Sequence, residues 1–311
     1  MTRAYLSWAA VCVIWGTTYL AIRVALETIP PFFMGAARWT AAGCLLISIL
    51  KIRGEALPPP RAWPALGVVG ILLIGFGNGG VVWAEQTVPS GLTSVLVSTT
   101  PFWMIGIEQL MPGGERLRLR HVIGLAVGFI GIVVLVWPEI QIGESRGFLG
   151  GVLATQLACV GWSVGSVYAR RRGREENVLA GVAIQMLAAG LCLWLPVVVL
   201  GEWSGLRMNQ RSATAALYLL LFGSIVGFSA YAYALKHLPI TTVSLYAYIN
   251  PVIAVVLGTI VLREPFGVRI GVACAVVLAG TAIVRSTETK ANVSAPARQP
   301  AGPRPASPGR G

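Results

Sequence analysis

The chain has 311 residues, 55% hydrophobic and only 12% charged, about half the charged share of ordinary soluble domains. Mean hydropathy is +0.73, which leaves too little polar surface to cover a water-soluble fold of this size. The net charge of +12 sits in short clusters between apolar runs, a membrane-topology pattern that argues against nucleic-acid binding.

Apolar runs fall at 5–23, 31–50, 63–86, 90–111 and 120–137, then at 147–169, 178–200, 213–235, 241–262 and 267–285. Each is long enough to cross about 30 Å of hydrocarbon as a helix. Helix is the expected form, because lipid offers a free backbone amide or carbonyl no partner. The first run is too long for the apolar part of a signal peptide and leads directly into further spans. The expected fold class is therefore an all-α membrane protein with ten transmembrane helices. Residues 286–311 are rich in Pro and Gly with almost nothing to bury, and are expected to form a disordered tail.

Basic residues set the orientation. With the N-terminus on one side, that side receives Arg3, the 51–61 and 116–120 clusters, Arg170, Arg171, Arg172, Arg174, Lys236 and the basic residues of the tail. Seventeen fall there and six on the opposite side, with Arg38 inside a span. The excess predicts both termini in the cytoplasm.

The two halves repeat. Trp15 and Arg23 match Trp162 and Arg170 at an offset of 147; Pro89, Ser94 and Pro101 match Pro239, Ser244 and Pro251 at 150; Glu115 and Gly131 match Glu264 and Gly280 at 149. The first repeat is placed at 1–137 and the second at 147–285. Five spans per repeat turn the second copy upside down, giving the inverted pseudo-two-fold on which many secondary transporters are built.

Several stretches then carry a family resemblance. They are Trp15-Gly16-Thr17-Thr18-Tyr19, GAARW around Arg38, Gly77-Asn78-Gly79 through WAEQTVPSG, Thr100-Pro101 and GERLRLRHVIG; the second half adds WSVGSVYARR, YAYALKHLP and YAYINPVIAVVLGTIVLREP. In this order and spacing the chain resembles the EamA-type family of the drug/metabolite transporter superfamily over nearly its whole length. The resemblance implies ten helices, an inner-membrane location and export of small metabolites, amino-acid-like compounds or drugs. It is weakened slightly where Arg263-Glu264-Pro265 stands for the usual Gly-Glu.

The alternative is a membrane-embedded enzyme or sensor. The chain contains no aspartate and two histidines, His121 and His237, which excludes aspartyl intramembrane proteases and aspartyl-phosphate pumps. Gly75, Gly77 and Gly80 have dinucleotide-fingerprint spacing, and Gly161, Ser163 and Gly165 have nucleophile-elbow spacing. Both lie inside apolar spans, where the strand–turn–helix context those motifs need is absent. No catalytic residue, cofactor or metal is implied. The expected partners are a small-molecule substrate and membrane lipids, with one chain sufficing as a monomer.

Proline in a helix removes a backbone bond, so Pro101 and Pro251 are expected to break spans four and nine near mid-membrane. Polar and aromatic residues at similar depth are the substrate-binding candidates: Trp15, Asn78, Trp103, Trp162, Ser163, Tyr246 and Asn250. Arg38 joins them. A charge inside a span costs roughly 2.5–3.5 kcal/mol at the helix centre, so it should have a partner. Glu85, at the outer end of span three, is the expected partner and the candidate coupling residue.

Overall fold

The computed structural model describes residues 2–112, 146–172, 177–238 and 246–263, with scattered positions from 119 to 131, at 243, and from 267 to 283. Predicted span five (120–137) lies mostly, span ten (267–285) about half, and the tail 286–311 wholly, outside the described residues. Every regular element among the described residues is helical. In chain order they are α1 (Thr2–Ala25), α2 (Pro31–Ile52), α3 (Pro60–Ala84), α4 (Ser90–Leu110), α5 (Gly147–Arg171), α6 (Val178–Val199), α7 (Gln210–His237) and α8 (Tyr246–Leu262). The first seven are long and apolar enough to cross a membrane. Together the eight coincide with eight of the ten predicted spans.

Local chemistry sets the helix ends. Pro31 opens α2, where a missing N–H costs nothing. The Asn177 side chain accepts from the Ala180 amide at the start of α6, 3.1 Å, and Asn209 with Ser212 forms a reciprocal capping box at the start of α7. Gly201, at φ +65°, turns the chain out of α6.

The bundle is apolar outside and polar inside, the reverse of a soluble protein. Leu6, Leu195, Val199 and Ile260 are exposed, whereas Arg38, Glu85, Thr99, Ser163 and Asn250 are buried. Helix α1 packs on α7 and α8, α5 packs on α3 and α4, and α2 packs on α6. That arrangement maps each half onto the other. Helix α5 also runs parallel to α4. Thr87 Oγ1 donates to the Gly147 carbonyl near their first ends (2.9 Å), Thr99 Oγ1 meets Gln156 midway (3.0 Å), and Arg171 pairs with Glu108 at the far ends (2.6 Å). Because α1 to α4 alternate in direction, α5 runs opposite to α1.

The α2–α6 crossing is a close backbone contact between the halves. A Cβ on Gly43 would lie 2.7 Å from the Leu187 amide nitrogen, and one on Gly190 would lie 2.4 Å from the Thr40 amide nitrogen. Gly43/Gly190 and Thr40/Leu187 are each 147 residues apart, so this is one contact made twice about the pseudo-two-fold. Glycine is required because backbone meets backbone there. Gly190→Val is expected to destabilise the protein by about 1–3 kcal/mol, read as a lower apparent Tm and a smaller monodisperse fraction in detergent than for a Gly106→Val control. A Cβ at Gly106 meets nothing within 4 Å.

Candidate functional site

Two helices of unusual form border the central cavity. Residues 71–78 of α3 and 219–226 of α7 are eight-residue π-helical segments. They stand 148 residues apart, within the offsets of the repeat. A π-turn widens the helix and redirects its carbonyls, and such segments cluster at functional sites. The first ends at Gly77-Asn78, and the second contains Gly223; all three residues line a central cavity.

The cavity lies between the halves, with about 70 Å³ open to the centre of a water-sized sphere. One water needs roughly 10–15 Å³ by that measure, so the space suits several waters or a small solute. Trp15, Arg38, Asn78, Trp162 and Tyr246 all line it. Trp15 meets Trp162 edge to face, with ring centroids 5.4 Å apart at 85°, and meets Tyr246 at 5.3 Å and 85°. Each indole N–H is held: Trp15 Nε1 donates to the Gly223 carbonyl (3.1 Å) and Trp162 Nε1 to the Tyr231 hydroxyl (3.2 Å). Tyr19, Trp39, Thr100 and Phe228 complete much of the wall. These four are not among the binding candidates read from sequence, although Tyr19 is one helical turn past Trp15 and Trp39 adjoins Arg38.

Three candidates lie off the wall. Trp103 Nε1 donates to Gln156 Oε1 (3.2 Å) between α4 and α5. Ser163 Oγ donates to the Cys159 carbonyl one turn back (2.7 Å). The buried Asn250 amide, with its nitrogen facing them, donates to the Cys12 carbonyl (2.9 Å) and the Tyr246 carbonyl (3.1 Å), tying α8 to α1.

The prolines behave differently from one another. Helix α4 is interrupted at Ser98–Thr99, and Pro101 sits in the first turn of its second part, Thr100–Leu110. Around Pro251 the expectation is corrected, since α8 is continuous from Tyr246 to Leu262. Proline deletes one backbone bond, and packing against α1 and α4 holds the rest of the helix in place.

Around Arg38 the nearest polar group is an amide. Arg38 does not snorkel; it is 6% exposed, and its Nη2 donates to Asn78 Oδ1. Trp39 Nε1 donates to the same oxygen (3.3 Å), and the guanidinium carbon lies 4.5 Å from the Trp39 ring centroid. Asn78 therefore reaches the guanidinium first, from a helix position seven residues deeper than Glu85. Glu85 is fully buried and interacts with Arg38 electrostatically, outside the 4.0 Å of a direct ion pair. The Glu85 backbone carbonyl accepts from Arg23 Nη1.

The two approaches to the cavity are unequal. On one side a cleft of about 1350 Å³ has Arg61, Arg170, Arg172 and Lys236 on its walls and reaches inward to Phe228 and Tyr231. Phe228 lines the cavity as well, so only a thin aromatic layer separates the two spaces. The opposite side is closed by contacts across the halves. The Glu202 carboxylate accepts from the Phe33 amide at the start of α2 (2.7 Å), Thr28 donates to Ser212 (2.6 Å), and Arg211 pairs with Glu27 (3.1 Å). Glu202 thus caps a helix whose first amides have no partner of their own.

Comparison with known proteins gives this architecture a family. The EamA-like transporter family model matches twice, over residues 2–137 and 149–286. The chain belongs to the EamA-like transporter family. It is 38% identical over 251 residues to "Uncharacterized inner membrane transporter YedA" of Escherichia coli K12, covering 80% of each chain. It is 25% identical over 299 residues to "Uncharacterized transporter YvbV" of Bacillus subtilis, covering 94% of this chain and 95% of the relative. "Protein PecM" of Dickeya dadantii is 28% identical over 254 residues, with 81% and 82% covered. A solved crystal structure, 25% identical, superposes with a TM-score of 0.66 over 90% of this chain and 96% of that one. Within this family framework the two matched copies correspond to the two halves that meet at the cavity.

Removing Asn78 tests how the charge is held. Asn78→Ala takes away the one protein hydrogen bond that the guanidinium makes among the described residues, leaving a buried charge without its acceptor. The variant is expected to lose several degrees of apparent Tm, and Asn78→Gln to recover less than half of the loss. Wild-type melting of Asn78→Ala would show that the bond contributes nothing to stability.

Proposed function

We propose that the chain is a secondary transporter that exports small organic solutes across a bacterial inner membrane by alternating access. In this reading ten helices form two inverted five-helix repeats, 1–137 and 147–285, one chain is the transport unit, and both termini face the cytoplasm. The observation that carries the proposal is the small aromatic cavity between the halves, approached by a wide cleft on one side and closed on the other. A carrier that exposes one site to each side in turn needs this asymmetry in any single state. Two supports come from elsewhere: the cleft opens at the Arg- and Lys-rich helix ends, which the charge bias assigns to the cytoplasm, and YedA is named an inner membrane transporter.

Transport then proceeds as follows. Solute enters the cleft, passes the Phe228–Tyr231 layer and packs among Trp15, Trp162 and Tyr246. Closing that layer and parting the Glu202–α2 and Glu27–Arg211 contacts delivers it to the other side. Glu85, buried near Arg38, is the proposed coupling group, taking up a proton in one state and releasing it in the other.

Three measurements test this. A C-terminal alkaline phosphatase fusion is expected to be inactive and a C-terminal green fluorescent protein fusion bright; the opposite pair would overturn the orientation. Trp162→Ala is expected to cut transport in proteoliposomes at least about tenfold with normal membrane insertion, and wild-type transport would remove the central site. Glu85→Gln is expected to abolish stimulation by a pH gradient while sparing solute exchange. Unchanged stimulation would remove Glu85 from coupling.

A further inference from the structure

Arg38 is the one charged side chain on the cavity wall among the described residues. Its surroundings indicate what a solute must bring. A guanidinium carries five N–H groups, and the structure gives this one a single hydrogen bond, to Asn78 Oδ1. One face is covered by Trp39. The Nε atom is buried and has no hydrogen-bond partner among the described residues. The two threonine hydroxyls on the wall are turned to their own helices, Thr18 Oγ1 donating to the Trp15 carbonyl (2.8 Å) and Thr100 Oγ1 to the Val97 carbonyl (2.6 Å). Arg38 is thus the positive charge available to an anion in the cavity, with the neutral Tyr19, Tyr246 and Asn78 side chains also on the wall. Glu85 acts on Arg38 from outside the cavity wall, leaving the cavity side open.

Resting on the transporter reading above, we infer that the solute is a small organic carboxylate with an aromatic or branched apolar body. Its carboxylate docks on the open N–H groups of Arg38, and its body lies among Trp15, Trp162, Phe228 and Tyr246. Planar carboxylate matches the guanidinium fork, where two parallel charge-assisted bonds form. The rings offer apolar faces and edges to the body. The volume of about 70 Å³ favours one ring or a short branched chain over a polycyclic compound. The cleft supports the same sign of charge, with Arg61, Arg170, Arg172 and Lys236 set against Glu55. Such a field gathers anions and repels cations on the way in. An amine of the same shape meets repulsion in both places.

Three probes of nearly one shape separate the possibilities: phenylacetate, 2-phenylethanol and phenethylamine. Binding is measured by calorimetry on the detergent-purified full chain, and transport by proteoliposome flux of the labelled compounds. Phenylacetate is expected to bind at least about tenfold tighter than the alcohol, with the amine weaker still. Arg38→Gln is expected to erase that preference, and Arg38→Lys to restore it partly, since charge remains without the fork. If Arg38→Gln does not elute as a folded monodisperse species, the wild-type ranking and Arg38→Lys decide. Equal or tighter binding of the amine or alcohol overturns the inference, as does unchanged phenylacetate affinity in folded Arg38→Gln. So does failure of all three probes while the protein transports other solutes; in each case the transporter reading stands. If the reconstituted wild type moves no solute from a broad metabolite panel, the transporter reading fails and this inference with it.

Discussion

Two backbones that nearly touch organise this molecule. Where α2 crosses α6, Gly43 and Gly190 let main chain approach main chain, with Thr40 and Leu187 opposite them. Lipid gives helices no hydrophobic reason to associate, so close van der Waals packing of small residues takes that part. The contact lies on the axis that relates the halves and fixes how they face each other. Arg38 stands five residues before Gly43, on the same helix. Its depth and its aim into the cavity follow from that crossing, as does the reach of Glu202 to the start of α2.

Around this axis the polar groups sit inside, several held by a neighbour on another helix and others by a carbonyl one turn back on their own. Asn78 ends one π-helical segment and accepts from both Arg38 and Trp39. Gly223, in the matching segment, accepts from Trp15. Each segment thus offers an oxygen at the cavity, a side-chain amide oxygen from Asn78 and a backbone carbonyl from Gly223. Tyr231 receives the N–H of Trp162 and bonds Ser166 (2.9 Å), fixing the ring layer between cavity and cleft. The closed side is held mainly by hydrogen bonds and one exposed ion pair, each individually modest. Contacts of that strength can be exchanged for others without unfolding a helix, which suits a state that must be left as easily as it is reached.

Much of the architecture was legible before any coordinates. Apolar runs gave the spans, because length and hydropathy are all that crossing a membrane demands. Matched residues 147–150 apart gave the repeat, and Trp15 and Trp162 emerged as equivalent. Other features were hidden for identifiable reasons. A π-helical segment differs from an α-helix by one step of hydrogen bonding, and ILLIGFGN and LLLFGSIV carry no local mark of it. Pro251 reads as a break, yet the helix continues through it, because packing on α1 and α4 decides whether one missing bond interrupts a helix.

The site divides along the same line. Sequence determined which residue types occupy the membrane interior, and that an arginine there must have company. It could not determine which company. Asn78 and Glu85 lie on one helix seven residues apart, both within plausible reach of Arg38, and only the rotation and tilt of α3 against α2 put the amide in contact and the carboxylate farther off. Likewise Trp103, Ser163 and Asn250 sit at suitable depths but face neighbouring helices. Depth is a property of chain position and can be counted along the sequence. The direction a side chain faces depends on which helix stands opposite, and tertiary packing alone decides that.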